Sequence, residues 1–311
     1  MTIRNLEIVG SCASLATLLE VSAYPKPGNV HRLRDFPDTK YEHFLSGGVS
    51  LGSRMREIAE KGLECRKWSE LGVGEFILDS VKDMMEWQAG GNIHLGIILL
   101  FSPLAAAAGY VMKEGVVDLD DMKSVLDEVI SGATPLDSVN IYRAIDEAMS
   151  KENLGVVDQL DVKDTSSLDR ILGEGLTPLD IFRECKARDS ICNEWVTGFN
   201  VTFTEGYPFL RKRLNEGATI NEATVDTFLK ILSEHTDSLI QRKSGAKAAI
   251  SVSEKAKEII KAGGTSTKTG KKMIQELDDD LSSEKGSLNP GTTADLTAAS
   301  LFLLLLTGWR P

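Results

Sequence analysis

The residues able to do chemistry fall into four short polar clusters. They are Glu20 with Pro25-Lys26-Pro27-Gly28-Asn29; Gly91-Asn92-Ile93-His94; Asp237 with Arg242-Lys243; and Asn289-Pro290-Gly291-Thr292-Thr293-Ala294-Asp295. Each sets a carboxylate, amide, imidazole or cation against an apolar, helix-like stretch. Polar groups in such places must be either paired or functional. The charge balance narrows the choice of ligand. With 35 Lys+Arg against 46 Asp+Glu, the formal net charge is −11. This argues against a protein that grips nucleic acid by charge, because that needs a basic excess. It leaves room for a local basic pocket around one phosphorylated small molecule. Three familiar catalytic strings are absent: GxxxxGK[ST], strand-borne GxGxxG and HExxH.

Each cluster also has a purely structural reading. Lys26 is then a solvated loop cation, and the prolines beside it a helix stop. Asn92 is the N-cap of the apolar helix that follows, His94 a satisfied core histidine, and Asp237 the cap of a helix carrying Leu239 and Ile240. Arg242-Lys243 is a charge pair at a helix C-terminus, and Thr292 with Asp295 a capping box with Asp in place of Glu.

The elements that must position these clusters read as helices. β-branched and aromatic clusters are thin, aromatic residues are 6% of the chain, and there are 9 prolines. Leu6 to Ser22 carries Ile8, Cys12, Leu15 and Leu19 at helical spacing. Further helices are expected over Tyr41–Lys61, with Gly47-Gly48 as a close-packing point, and over Gly72–Gln88, Asp118–Val129 and Ser138–Met149. Others follow from Pro178 through Arg188, and over Asp189–Thr204 (ended by Gly206-Tyr207-Pro208), Ile220–Glu234, Gly245–Ala262 and Thr269–Leu281. Residues 150–175, with Asp158, Asp161, Asp164 and Asp169, read as a polar acidic excursion. Two runs are very apolar, Leu95–Met112 and Ala298–Leu306, within a last helix from Ala294. The first contains Pro103, the second is too short to span a bilayer, and neither has a Lys/Arg bias at its flanks. Both read as buried central helices and not as membrane spans. The expected fold is all-α, one globular multi-helix domain over residues 1–311 built around these two helices. Cys12, Cys65, Cys185 and Cys192 form no CxxC pair and read as reduced thiols in a cytoplasmic protein. The first ten residues lack the apolar core of a signal peptide.

Taken together and in this order, the four clusters resemble the triphosphoribosyl-dephospho-CoA synthase family. The segments are LLEVSAYPKPGNVHR from Leu18, GGNIHLGIILLFSPLAAAAG from Gly90, HTDSLIQRKSGAKAA from His235 and NPGTTADLTAASLFL from Asn289, so the resemblance spans essentially the whole chain. It implies an all-helical enzyme that moves the triphosphoribosyl unit of ATP onto dephospho-CoA and releases adenine. The substrates implied are small molecules: ATP, and dephospho-CoA or another cofactor precursor. Such a ligand needs Mg²⁺ on carboxylates together with Lys or Arg. On that reading Glu20, Asp38, Asp237 and Asp295 are metal donors. Lys26, Arg32, Arg242 and Lys243 meet phosphates, while Pro27-Gly28-Asn29, Asn289 and Gly291 line the nucleotide. Asn92 binds ribose hydroxyls. His94, with Asp237 and Glu20, makes up the catalytic set, His94 acting as general base or assisting the leaving purine.

The chain departs from the bacterial pattern of that family. His31 stands where those enzymes carry Asp, Phe36 replaces a His and Lys40 an Asp, while Asp38 is kept. Ile93 and Leu95 replace a Thr and a Lys. KPGNVHR and NIHLG resemble an archaeal-type branch. Two alternatives stay open on this ground: a related enzyme with another acceptor, such as a pterin-type precursor, or a non-catalytic nucleotide-binding helical protein. A homodimer burying one of the apolar helices also stays open.

Overall fold

The computed structural model describes residues 3–112, 114–149, 165–284 and 286–311. Helices α1 (Ile3–Ser22), α2 (Tyr41–Glu64), α3 (Val73–Trp87) and α4 (Leu95–Val111) open the chain. Then come α5 (Leu119–Gly132), α6 (Pro135–Ala148), α7 (Thr165–Glu174), α8 (Pro178–Cys185) and α9 (Ser190–Thr197). The last six are α10 (Tyr207–Asn215), α11 (Ile220–Glu234), α12 (Ser238–Ser244), α13 (Ala246–Lys261), α14 (Lys268–Ser283) and α15 (Gly291–Leu306). No strand forms among the described residues, so the all-α expectation holds. Nor is any described helix long and apolar enough to cross a membrane.

Local chemistry explains six of the helix starts. Thr134-Pro135 and Thr177-Pro178 each place Pro in the first turn. In both, the Thr hydroxyl accepts the backbone N–H three residues on, and an Asp reaches back to the Thr N–H. Thr219 and Glu222 do the same for α11. Asp118, Asp189 and Asp237 cap α5, α9 and α12 through their carboxylates.

The two apolar runs lie where expected. α4 and α15 are buried along nearly their whole length, and Phe101 stacks on Phe302 at 4.4 Å between ring centroids. α2 comes so close to α4 that a Cβ on Gly109 would lie 2.0 Å from the Ala59 carbonyl oxygen. Pro103 sits inside α4 and has no N–H for the Leu99 carbonyl one turn back. The indole N–H of Trp195 donates to that carbonyl instead, at 3.1 Å. The central helix therefore keeps its proline because α9 supplies the missing donor. A second apolar group, from α11, α13 and α14 with Ile240 of α12, packs beside the main one.

Several expectations change. On α1, Ile8, Leu15 and Leu19 are only half-buried. The fully buried face is Val9, Cys12, Ala13, Ala16 and Glu20, one residue round the helix. The helix expected over Asp189–Thr204 is broken at Gly198 and Phe199, both left-handed at φ 64° and 61°. Buried Glu194 closes the break by accepting from Val201 N–H, Thr202 N–H and the Thr202 hydroxyl. One π-helical turn, Thr202–Gly206, follows, and Tyr207-Pro208 starts α10 instead of ending a helix. Cys185 and Cys192 are disulfide-bonded, not reduced, because the end of α8 and the first turn of α9 bring their Cα atoms to 6.0 Å. Cys12 and Cys65 are free. Of the acidic excursion, 150–164 lies outside the described residues, while Asp169 is exposed on α7, whose Ile171 is buried.

The proline–tryptophan arrangement is testable. Trp195→Phe leaves the Leu99 carbonyl buried without a donor, which costs about 1–3 kcal/mol. Pro103→Ala restores the backbone N–H, so the same Trp195→Phe change is expected to cost less in that background. Urea denaturation of the two single variants and the double variant measures this, and equal losses in both backgrounds would contradict it.

Candidate active site

The site starts at the C-terminal end of α1. That end exposes backbone carbonyls, which attract a cation. Lys26 folds back from the loop and donates to the Glu20 carbonyl oxygen at 3.0 Å and to the Glu20 carboxylate. The Lys26 side chain is 2% exposed and that of Glu20 3%. Lys26 is therefore not a solvated loop cation.

The loop around it is fixed from outside. The Tyr24–Pro25 bond is cis. Asn221 brackets Tyr24, accepting from its N–H at 2.9 Å and donating to its carbonyl at 2.7 Å. Asp278 of α14, fully buried, accepts the Gly28 N–H at 3.1 Å and pairs with His31 Nε2 at 3.2 Å. Gly28 has φ +73°, and a Cβ there would lie 2.8 Å from Leu281 Cβ, so glycine is needed for conformation and for space. Asn29 Nδ2 reaches the Pro290 carbonyl at 3.4 Å, joining the first cluster to the fourth.

The third and fourth clusters meet through Asp237. One of its oxygens accepts from Leu239 and Ile240 N–H, at 2.9 and 3.0 Å. The other accepts from Thr293 N–H and hydroxyl, both at 2.7 Å. The structural reading of Asp237 as a cap thus holds, and it also ties α12 to α15. Thr292 and Asp295 form no capping box. The Thr292 hydroxyl accepts from Ser238, whose own hydroxyl oxygen takes the Ser190 N–H of α9.

Asp295 is different. It accepts no hydrogen bond among the described residues, and it lies under Gly96, where a Cβ would approach Asp295 Oδ2 to 2.1 Å. Burial, reinforced by the charges of Glu20, Asp237 and Asp189, raises its pKa well above the ordinary carboxylate range, against the pull of Lys26. Burial also raises Glu20 and Asp237, opposed by Lys26 in one case and by the Thr293, Ile240 and Leu239 bonds in the other. Lys26 is lowered by burial and held up by Glu20 and Asp295.

His94 completes the group. Its ring packs edge-on to Phe44 at 5.3 Å, and Nε2 lies 3.1 Å from the Phe44 carbonyl oxygen. Burial, with the nearby Lys26 charge, pushes its pKa down to about 4. A neutral imidazole facing a carbonyl must put its proton on Nε2. Nδ1 is then a buried lone pair without a partner. Asn289 Oδ1 is also buried and unpartnered.

Glu20, Lys26, His94, Asp237 and Asp295 are thus gathered; other expected residues are not. Asp38 is exposed and makes no bond to the gathered carboxylates. Asn92 is exposed and accepts the Leu95 N–H at 3.2 Å, while the N-cap position expected for it is held by His94. Arg32 is exposed, donating to Asn221 and lying over the Tyr24 ring. Arg242 donates to Asp189 at 3.4 Å and Lys243 to the Gly286 carbonyl at 3.1 Å. Gly28's N–H faces Asp278 and not an open anion site. No described group of three or more His, Cys, Asp or Glu side chains is arranged to hold a metal by itself. Two open clefts lie away from this group, one of about 550 Å³ beside Glu205 and His235 and one of about 540 Å³ beside Arg211 and Trp309. Two residues escaped the sequence reading. Asp189 has a visible signal as a helix cap, while Asp278 is one of three successive aspartates, Asp278-Asp279-Asp280, inside the expected helix Thr269–Leu281.

An all-helical chain that sinks an ammonium, two carboxylates and a neutral imidazole into its helix junctions, with a half-buried third carboxyl among them, has the build of an enzyme for a small polyanionic substrate. The chain belongs to the ATP:dephospho-CoA triphosphoribosyl transferase family (CitG), whose model matches residues 7–311. It is 25% identical over 310 residues to a Pseudomonas fluorescens (strain Pf0-1) protein bearing the name 2-(5''-triphosphoribosyl)-3'-dephosphocoenzyme-A synthase, covering 97% of this chain and 92% of that one. A Stutzerimonas stutzeri (strain A1501) protein of the same name is 32% identical over 110 residues, 35% of this chain and 37% of its own length. A crystal structure from Archaeoglobus fulgidus, titled for a triphosphoribosyl-dephospho-CoA synthase, superposes with a TM-score of 0.66 at 27% identity, over 87% of this chain and all of that one.

His94 gives a pH prediction. Its pKa is lower in the folded chain than in the unfolded one, so the unfolded state binds the proton first as pH falls. Stability is then lost from about pH 6.5 down to about 4, by roughly 3 kcal/mol in all. Melting curves across this range should show a shallower fall for His94→Gln than for the wild type. Parallel curves would mean that His94 is not the buried neutral group described.

Proposed function

We propose that the protein transfers the triphosphoribosyl unit of ATP to a hydroxyl of dephospho-CoA and releases adenine. The observation that carries this reading is His94 Nδ1, a buried lone pair close enough to the buried Lys26 ammonium to feel its charge. In the reaction the acceptor oxygen bonds to the ribose anomeric carbon as the carbon–nitrogen bond to adenine breaks. The hydroxyl proton passes to His94 Nδ1, and the electron pair leaves with adenine, which takes up a proton. Lys26 holds the triphosphate, with Arg242 and Lys243 nearer the surface. Asp295 stabilises positive charge developing on the ribose, and Asp237 holds α12 and α15 in register. Asn289, with its free Oδ1, and Gly291 border the nucleotide.

Mg²⁺ fits the donor set in a restricted way. The ion keeps most of its water and needs only one or two carboxylates beside phosphate oxygens. Asp295 and the Glu20 carboxylate are the candidates, whereas both oxygens of Asp237 are taken by donors and Asp38 stands apart. When bound, it would neutralise phosphate charge. A cytoplasmic setting, where both substrates are made, goes with this reading. The changed loop at His31–Lys40 keeps a second acceptor class, pterin-type precursors, in the test.

Adenine release from ATP with Mg²⁺ is expected only when dephospho-CoA is present, with a triphosphoribosyl mass added to it. His94→Ala should slow that release by about 10²–10⁴-fold, the usual contribution of a general base. Chromatography and mass spectrometry read both. Turnover with a pterin and not with dephospho-CoA would move the assignment to the second acceptor class. ATP binding without adenine release on any acceptor would reject the transferase.

A further inference from the structure

We propose that Asp278 is the positioning residue of the Lys26 loop, acting on ATP through the placement of Lys26; this rests on the functional reading above. A loop of two prolines and a glycine has no internal ladder to fix it, so its shape must come from outside. Asp278 supplies that from the far end of the sequence. Its side chain is 0% exposed. It takes the Gly28 N–H and His31 Nε2, and Arg34 Nε lies 3.4 Å from the oxygen that meets His31. Arg34 extends the contact along α14, donating to the Asp278 carbonyl at 3.2 Å and to the Asp279 carboxylate at 2.6 Å.

These bonds shape the segment. His31 and Arg34 exchange both backbone hydrogen bonds, at 3.0 and 2.8 Å, which puts Arg32 and Leu33 at a tight tip. Leu33 is 69% exposed there. Gly28 is pressed onto Leu281, and Asn29 N–H returns to the Lys26 carbonyl at 3.2 Å. The loop is therefore held from α11 by Asn221 and from α14 by Asp278, and Lys26 is delivered to Glu20 between the two. Removing the carboxylate frees Gly28 and His31 together and takes from Arg34 one of its contacts with α14, leaving those to the Asp278 carbonyl and Asp279.

A buried acid can also be merely structural, and this chain contains one for comparison. Asp226 of α11 accepts from Thr265 N–H at 2.8 Å, the Thr265 hydroxyl at 2.6 Å and Arg213 Nε at 2.9 Å, far from the Lys26 loop in its contacts. Asp278→Ala and Asp226→Ala should both lower the melting temperature. Only Asp278→Ala should weaken ATP binding, by about ten-fold or more in calorimetry, with Asp226→Ala within about two-fold of wild type. Trypsin should cut after Arg32 and Arg34 faster in Asp278→Ala, and no faster in Asp226→Ala. The Asp278→Ala/His31→Ala double variant should bind ATP no more weakly than Asp278→Ala alone, because both changes break one linkage. Should Asp278→Ala fail to fold, His31→Ala and Arg34→Gln carry the test, each loosening the loop to trypsin and weakening ATP binding several-fold. Equal ATP affinity in the Asp278 and Asp226 variants would overturn the proposal, as would unchanged tryptic cleavage. A wild-type chain that binds no ATP would reject the functional reading and the link to ATP. The trypsin comparison would still decide whether Asp278 holds the loop.

Discussion

The buried ammonium of Lys26 constrains everything around it. Removing a lysine from water costs several kcal/mol unless it is paired and hydrogen-bonded. Here the partners are both at Glu20, one a carboxylate and the other the backbone carbonyl in the last turn of α1. The cation thus serves two needs of that helix. It meets an orphan carbonyl at the negative end of the dipole, and it offsets an acid placed at the end where an acid is unfavourable. Neither side chain is tolerable without the other. The loop must then reverse sharply and be held in that reversal, which is the task of Asn221, Asp278 and Gly28.

The ion pair does not balance the charge of its surroundings. Glu20, Asp189 and Asp237 all contribute to the field that Asp295 feels, against one buried cation. The acids differ in how they are accommodated. Asp237 has four donors, while Asp189 has two backbone N–H groups and Arg242. Asp295 has none. One carboxyl near Lys26 is therefore left without any donor among the described residues. Stability alone gives no reason to keep such a group, whereas binding a cation or stabilising a developing positive charge does.

The helices were legible because their signals are local. Ile220–Glu234 was expected with the observed bounds, since Thr219 and Glu222 mark the start and His235 breaks the apolar period. The 189–206 stretch was not, because its apolar period continues across a break that Glu194 stabilises from one turn earlier. No window of sequence shows a carboxylate folding back onto two later N–H groups. The disulfide was missed for a related reason: a spacing of seven carries no meaning until the turn between α8 and α9 is known.

The site was legible in composition more than in role. The four clusters do converge, yet within each cluster the residues divide into those that hold the fold and those left with unused capacity. Asp237 proved to be the cap that its structural reading described, Asn92 an acceptor one turn before α4 and Asn29 a linker. Lys26, His94 and Asp295 did not fit theirs. Lys26 is buried where a loop cation would be solvated, His94 keeps a free buried lone pair, and Asp295 lacks the bond a capping box would provide. Type and spacing cannot make that division, because an aspartate that caps and an aspartate left bare look alike in sequence. It follows from counting donors and acceptors around each group. That count points to the contact between α1, α4 and α15 as the place where chemistry is to be sought, with α12 and α14 holding it in shape.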